Sequence, residues 1–316
     1  MISGYLITKS YIQSRTIVGY FIKRIIRIVP AYIVVFWICV LCVAPFVGSE
    51  VSVISIQNLK NGLLATLRLL PPHVPGAFHG LPYDELNGSM WTIAYEFRCY
   101  IAAAFLGFIG LYKPCYRIIL LLSVAMLVTL NATDASHSIQ NVNSSLISLI
   151  GPLDRIVGSP DHNIKFFAVF GVGALYYVFR DWIVYTWPNA LIAGGVLITL
   201  MFNHFLAEAA FMIFGGYIIF WFSFKVPVLS ASRLDNNDDI SYGLYLYAWP
   251  IQNLIIWNDR NISPWLLCVI SLLGAGILGY ASWKMIEKPS LNLFKKRMFF
   301  HHAEIAPRTK EVHKSI

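Results

Sequence analysis

The sequence predicts an all-α fold: a polytopic integral membrane bundle of about eight full transmembrane helices plus a partial one at the N-terminus. Three observations carry this. The 316 residues are 57% hydrophobic and only 13% charged, with a mean hydropathy of +0.63, too apolar for an ordinary soluble domain. The apolar residues gather in runs near the length that crosses a bilayer, about 20 residues. The alternating apolar and polar pattern of a membrane β-barrel is not found in the sequence.

Taken in order, residues 1–8 read as the inner end of a membrane helix that reaches its first charge at Lys9, too short to cross alone. Eight stretches follow that can cross, at roughly 29–47, 93–112, 117–132, 165–180, 189–203, 205–224, 240–258 and 264–286. Gly and Pro recur inside them, as membrane helices tolerate when neighbours satisfy the freed backbone groups. With the first loop inside, eighteen of the 24 basic residues fall on the cytoplasmic face, leaving Lys60, Arg68, Arg98, Arg155, Lys165 and Arg260 elsewhere. The positive-inside rule therefore orients the bundle with its C-terminus in the cytoplasm. The net charge of +8 then reads as orientation and attraction to anionic membrane lipids, and no nucleic-acid partner is expected. Residues 1–290 form one membrane domain, with a basic cytoplasmic tail at 291–316. Two outer loops are long, about 48–92 and 133–164. The first, rich in Pro, Gly, His and aromatics, reads as ordered and turn-rich. It is either an acceptor-binding surface or a cap over the bundle.

Several polar groups stand where a membrane helix carries them at a cost. In "NGSMWTIAYEFRCYI", Glu96 and Arg98 are two positions apart, so they face different sides of a helix and each needs its own partner. Glu96 shares a face with Thr92 and Cys99, Arg98 with Trp91 and Tyr95. They form a polar active-site wall or snorkel to a helix end. Arg24 and Arg27, three apart beside Pro30 at a cytoplasmic helix mouth, aim both guanidinium groups one way, which suits a phosphorylated ligand or simple anchoring. In "DDISYGLYLYAWPIQN", Asp238 or Asp239 is placed to cap a span. Tyr242, Tyr245 and Tyr247 give that span a polar stripe that serves packing or binding. His204 and Glu208, four apart, suit an acid–base pair, although a loop beside a helix end explains them equally. Cys39 and Cys42 lie inside an apolar run without a second ligand pair, so no metal site is expected.

Four segments in chain order resemble the membrane acyltransferase-3 family of sugar and cell-envelope O-acyltransferases. They are "ISGYLIT" with Ser3, Gly4 and Leu6; "RIIRIVPAY" with Arg24, Arg27 and Pro30; "NGSMWTIAYEFRCY" with Asn87, Gly88, Ser89, Trp91 and Glu96; and "ISYGLYLYAWPIQN" with Tyr242, Gly243, Tyr245, Pro250 and Gln252. "IEKP" at 286–289 fits the family's last helix end, so the resemblance covers essentially the whole chain. It implies transfer of an acyl group, usually acetyl, from cytoplasmic acyl-CoA to a hydroxyl of an envelope glycan such as lipopolysaccharide or exopolysaccharide, in a bacterial inner membrane. No bound cofactor is implied, since acetyl-CoA is a substrate. By the same resemblance Glu96 is the catalytic candidate, and Arg24, Arg27, Ser3 and Gly4 are donor-side residues. Arg98, Trp91, Asn87, Tyr242 and Tyr245 are acceptor-side or structural.

Family members carry a helix ahead of the "SGYL" segment with an Arg and a His, the expected base. The sequence therefore leads to the expectation that the chain lacks its first transmembrane helix and is impaired as written. A transporter or flippase for an envelope precursor, using the same charges as a pathway, and an inactive remnant of the enzyme are the alternatives. Internal repeat symmetry would mark the former, and the sequence shows none.

Overall fold

The structure is a computed structural model that describes residues 1–49, 56–133, 159–225 and 239–294; 79% of those residues are helical, and none is in a strand. α1 covers Ile2–Gln13, α2 Ile17–Ile38, α3 Ile56–Leu67, α4 Trp91–Phe108 and α5 Arg117–Ala132. They are followed by α6 Pro160–Val178, α7 Trp187–Met201, α8 His204–Ala210, α9 Gly216–Lys225, α10 Ser241–Asn258 and α11 Pro264–Ser282. Helix starts follow local chemistry. The side-chain oxygens of Thr186 and Asn203 accept amide hydrogens in the first turns of α7 and α8. Pro opens α6, α7 and α11, where its missing amide hydrogen is not needed. Single π-helical turns extend α2 at Cys39–Val43 and α11 at Trp283–Glu287, and another joins α8 to α9 at Phe211–Gly215.

All eight expected spans fall on helix, but among the described residues only four helices are long and apolar enough to cross a membrane: Ile17–Phe46, Pro114–Ala132, His204–Lys225 and Pro264–Phe294. The expected count of about eight is thus not supported. Composition is the reason. α4 carries Glu96 and Arg98, α6 carries Asp161, His162 and Lys165, and α10 mixes Tyr242, Gln252 and Asn253 with its apolar residues. α7 is apolar but has only 15 residues. The first span also starts at Ile17, well before 29, so Pro30 lies inside α2 and not at its start. α1 has 12 residues, about 18 Å at the helical rise, which is short of a bilayer crossing. Apolar side chains stand outward on the long spans, with Ile118 69% and Ile277 69% exposed. Such faces suit hydrocarbon, where only backbone satisfied within a helix is tolerated. Most of the 133–164 loop, Asp238, and the tail from 295 onward lie outside the described residues.

The chain divides into two compact units, Met1–Tyr20 with Ala94–Leu234, and Phe21–Ile93 with Asp235–Ile316. In the first, Leu120, Val124 and Val128 of α5 pack with Ala168, Val172 and Tyr176 of α6, and with Met212 and Phe220. α1 reaches α6 at backbone distance: a Cβ on Gly4 would overlap the Phe170 carbonyl, and one on Gly173 would overlap the carbonyl of Met1. Small residues at such crossings let helix backbones touch. Gly4→Val is therefore expected to lower stability by at least about 3 kcal/mol, the upper range for overpacking, because backbone and not a yielding side chain is struck. Thermal unfolding of the detergent-solubilised protein checks this.

In the second unit, α10 and α11 cross at Gly243 and Gly279, where added Cβ atoms would meet the partner's backbone at 2.8 Å. The 68–90 segment is ordered and turn-rich, as the sequence suggested. Gly76 and Gly80 adopt positive φ, as do Leu69 and Phe78. α10 pins the segment: Trp249 Nε1 donates to the Glu85 carbonyl at 3.2 Å, and Asn253 Nδ2 to those of Tyr83 and Glu85, each at 3.1 Å.

Candidate active site

The four candidate motifs fall on both units, and each unit gathers its own polar constellation. In the first, Glu96 is half-buried on α4. Its Oε1 accepts from Ser3 Oγ of α1 at 3.1 Å and from the hydroxyl of Tyr100, one helical turn on. Tyr100 is in turn held through its carbonyl, which accepts from Tyr20 OH at 3.0 Å. Because Gly4 presses α1 against Phe170, the neighbouring Ser3 is set by a backbone crossing and not by a flexible loop. A carboxylate fixed by two hydroxyl donors can orient a cationic base, stabilise positive charge, or accept from an acceptor hydroxyl.

Arg98 takes different partners, as its spacing from Glu96 required. Its guanidinium lies over the Tyr95 ring, 4.4 Å from the centroid, and Nη1 donates to Asn163 Oδ1 at 3.4 Å. Tyr95 stacks on Phe166, with centroids 5.2 Å apart, and its hydroxyl accepts from the Ser159 amide at 3.3 Å. Ser159 Oγ also meets His162 Nδ1. Ser159, His162 and Asn163 were missed in the sequence. They sit at the edge of the long 133–164 loop, and the signal available was "SPDHN": a Ser before Pro with an acidic residue next, the signature of a helix start.

In the second unit, Lys23, Arg24 and Arg27 of α2 line one cavity of about 190 Å³ together with Asp239, Trp283 and Leu291. Arg27 pairs with Asp239 at 2.5 Å, both about half-exposed. Asp239 has a second task. Its Oδ1 accepts from the Ser241 amide at 3.2 Å and Ser241 Oγ at 2.5 Å, fixing the first turn of α10. Three cations against one carboxylate leave the wall of this cavity with an excess of positive charge.

Asn87 is fully buried. Its amide nitrogen donates to the Leu246 carbonyl at 2.8 Å, and its Oδ1 accepts from the Ser89 amide at 3.2 Å and Ser89 Oγ at 2.6 Å. These bonds consume its polar atoms in holding the start of α4 to α10. Tyr245 OH meets Thr92 Oγ1 at 2.5 Å and the Ser89 carbonyl, while Tyr242 OH donates to the Ile28 carbonyl at 3.2 Å. Trp91 stands 40% exposed at the start of α4. A cavity of about 390 Å³ lies beneath the 70–75 turn, lined among others by Phe36, Asn58, Asn61, Pro71 and His73.

His204 and Glu208 do not make the acid–base pair that their spacing allowed. The Glu208 carboxylate receives Lys165 Nζ at 2.6 Å and Asn131 Nδ2 at 2.7 Å instead. Cys39 is buried and Cys42 exposed, and both are free thiols.

A family model described as an acyltransferase domain matches residues 1–284. Among curated proteins, the chain is similar to nodulation protein 10 of Rhizobium leguminosarum bv. viciae, 26% identical over 93% of this chain and 80% of the relative. It is also similar to an O-acetyl transferase of Shigella phage Sf6, 26% identical over 91% of this chain and 81% of the relative. No solved structure matches.

Proposed function

We propose, from the premise that the chain belongs to the acyltransferase-3 family, that this membrane O-acyltransferase moves an acetyl group from acetyl-CoA to a hydroxyl of an envelope glycan. In the reaction the acceptor oxygen forms a bond to the acyl carbon, the carbon–sulfur bond breaks, and CoA leaves as the thiol once the hydroxyl proton has been transferred. A positioned base near neutral pKa accelerates such an attack by about 10² to 10⁴-fold. Glu96 serves the chemistry by stabilising the cation that this base becomes on taking the proton, or by accepting from the acceptor hydroxyl.

The observation that carries the donor assignment is the cavity ringed by Lys23, Arg24 and Arg27. Acetyl-CoA is a polyphosphorylated anion, and two guanidinium groups one turn apart offer paired donors to phosphate. The positive-inside rule puts this end in the cytoplasm, where the donor is found. For the acceptor, the cavity under the 70–75 turn supplies Asn58, Asn61 and His73 beside Phe36. Amide and imidazole groups beside an aromatic ring suit a hydroxyl-rich ring, and the cavity's volume of about 390 Å³ lies in the usual range for small-ligand pockets.

The test is expression in a host lacking its own modification, both from Met1 and with whatever in-frame coding sequence precedes it. Glycan O-acetyl groups are scored by NMR, and labelled CoA release is followed in membranes. Acetylation that depends on acetyl-CoA supports the assignment; substrate flux without a CoA requirement in either form overturns it.

Asp239→Asn gives a finer check. It removes the carboxylate competing with phosphate for Arg27, a half-exposed pair worth at most about 1 kcal/mol. The KM for acetyl-CoA is expected to fall by up to about fivefold, an advantage that shrinks as salt is raised.

A further inference from the structure

In the first unit, α5, α6 and the Phe211–Gly215 turn line a groove of about 490 Å³, with Leu121, Val124, Val128, Leu175 and Phe179 along it. Its few polar side chains are already engaged. Thr129 Oγ1 donates to the Met126 carbonyl at 2.8 Å, Tyr176 OH to that of Ile213 at 2.6 Å, and Tyr217 OH to that of Val184 at 2.7 Å. The surface presented to an occupant is thus apolar throughout. Leu121 to Thr129 spans about 12 Å at the helical rise, close to one leaflet's half of the roughly 30 Å hydrocarbon core.

One end of the groove differs. Arg117 lies one turn before Leu121, with its guanidinium 6.0 Å from the Phe179 ring centroid and 5.9 Å from that of Trp182. Its Nε is buried and has no hydrogen-bond partner among the described residues. The hydroxyl of Tyr185, whose ring packs 5.3 Å from that of Tyr217, is likewise buried without a partner. Arg180, next in sequence to Phe179, has its charge answered by Asp181 at 3.6 Å; Arg117 has no such carboxylate among the described residues. A buried donor left unpaired is costly, and an anionic acceptor relieves that cost.

We propose that this groove holds one acyl chain of an anionic phospholipid, with the lipid phosphate at Arg117. The apolar wall matches the tail in length, and the cation at its mouth, which has no carboxylate partner among the described residues, matches the head in charge. The charge distribution that orients the bundle puts Arg117 at the cytoplasmic surface, where anionic lipid is enriched. The proposal does not depend on the acyl transfer reaction.

The test uses the full chain purified in detergent and offered palmitoyl-oleoyl phosphatidylglycerol or phosphatidylcholine, with retained lipid counted by native mass spectrometry. Wild type is expected to keep one phosphatidylglycerol in preference to phosphatidylcholine by about fivefold, the effect of one well-placed cation. Arg117→Ala should bring the preference near unity, and Arg117→Lys should retain most of it. Ala125→Phe, at an exposed position on the groove wall, should reduce retention of both lipids without disturbing the core. Preference unchanged in Arg117→Ala, or retention unchanged in Ala125→Phe, overturns the proposal. So does displacement of phosphatidylglycerol by inorganic phosphate, which would show that the headgroup alone binds.

Discussion

Glu96→Gln is expected to lower O-acetyl transfer by about 10²-fold or more while leaving the protein inserted and folded. The amide keeps the size of the carboxylate and an oxygen to accept from Ser3 Oγ and Tyr100 OH, so the α1 to α4 contact persists. What disappears is the negative charge. Where that charge stabilises the protonated form of the base, the acid limb of the pH–rate profile moves downward in the variant, because a cation that loses its counter-charge gives up its proton more readily. Where Glu96 instead accepts from the acceptor hydroxyl, the acceptor KM rises and the profile keeps its position. Ser3→Ala and Tyr100→Phe each remove one hydrogen bond to the carboxylate and should cost roughly tenfold, since bonds to charged groups contribute about 1.5 to 3 kcal/mol. Acetylation unchanged in Glu96→Gln removes this carboxylate from the site.

The residues that spoke clearly in the sequence are those whose spacing alone fixes a consequence. Glu96 and Arg98 cannot share a face two positions apart, and the structure gives each its own partners. Arg24 and Arg27 do share one, and they line the same cavity. Gly4, a donor-side residue by resemblance alone, makes a close backbone crossing with Phe170 that its spacing did not reveal. The count of spans was less legible. An apolar run reveals a helix, but helices such as α4 and α10, whose polar groups are satisfied inside the protein, have lost the apolarity that marks a crossing.

Partnerships formed across the chain were not legible at all. The sequence places Asp238 or Asp239 to cap this span and holds no sign that the second oxygen of Asp239 meets Arg27, 212 positions away. Glu208 looked like a partner for His204 because they are four apart, yet Lys165 and Asn131 claim it from other helices. Asn87 was read as an acceptor-side or structural residue; its complete burial and its bond to the Leu246 carbonyl give it a structural task. Local periodicity constrains which face a side chain occupies and says nothing about which distant face is brought to it.

Arg24→Ala combined with Arg27→Ala is expected to raise the KM for acetyl-CoA by about 10² to 10⁴-fold. Each guanidinium can make charge-assisted bonds to phosphate, worth roughly 1.5 to 3 kcal/mol apiece, and Lys23 alone would remain beside Asp239 in the cavity. The loss should fall on KM with little change in kcat, because phosphate contacts far from the thioester are made equally in the ground and transition states. Removing Arg27 also leaves Asp239 without its ion-pair partner, a carboxylate that would repel the donor. Arg27→Ala should therefore be the more damaging of the two single changes, and adding Asp239→Asn to it should recover part of the loss. Lys substitutions at both positions restore charge but not the planar paired donors, so they should rescue incompletely. An inverted orientation in place of a raised KM, read by cysteine labelling from either side of the membrane, would mean that these arginines anchor the helix and leave the donor to another site.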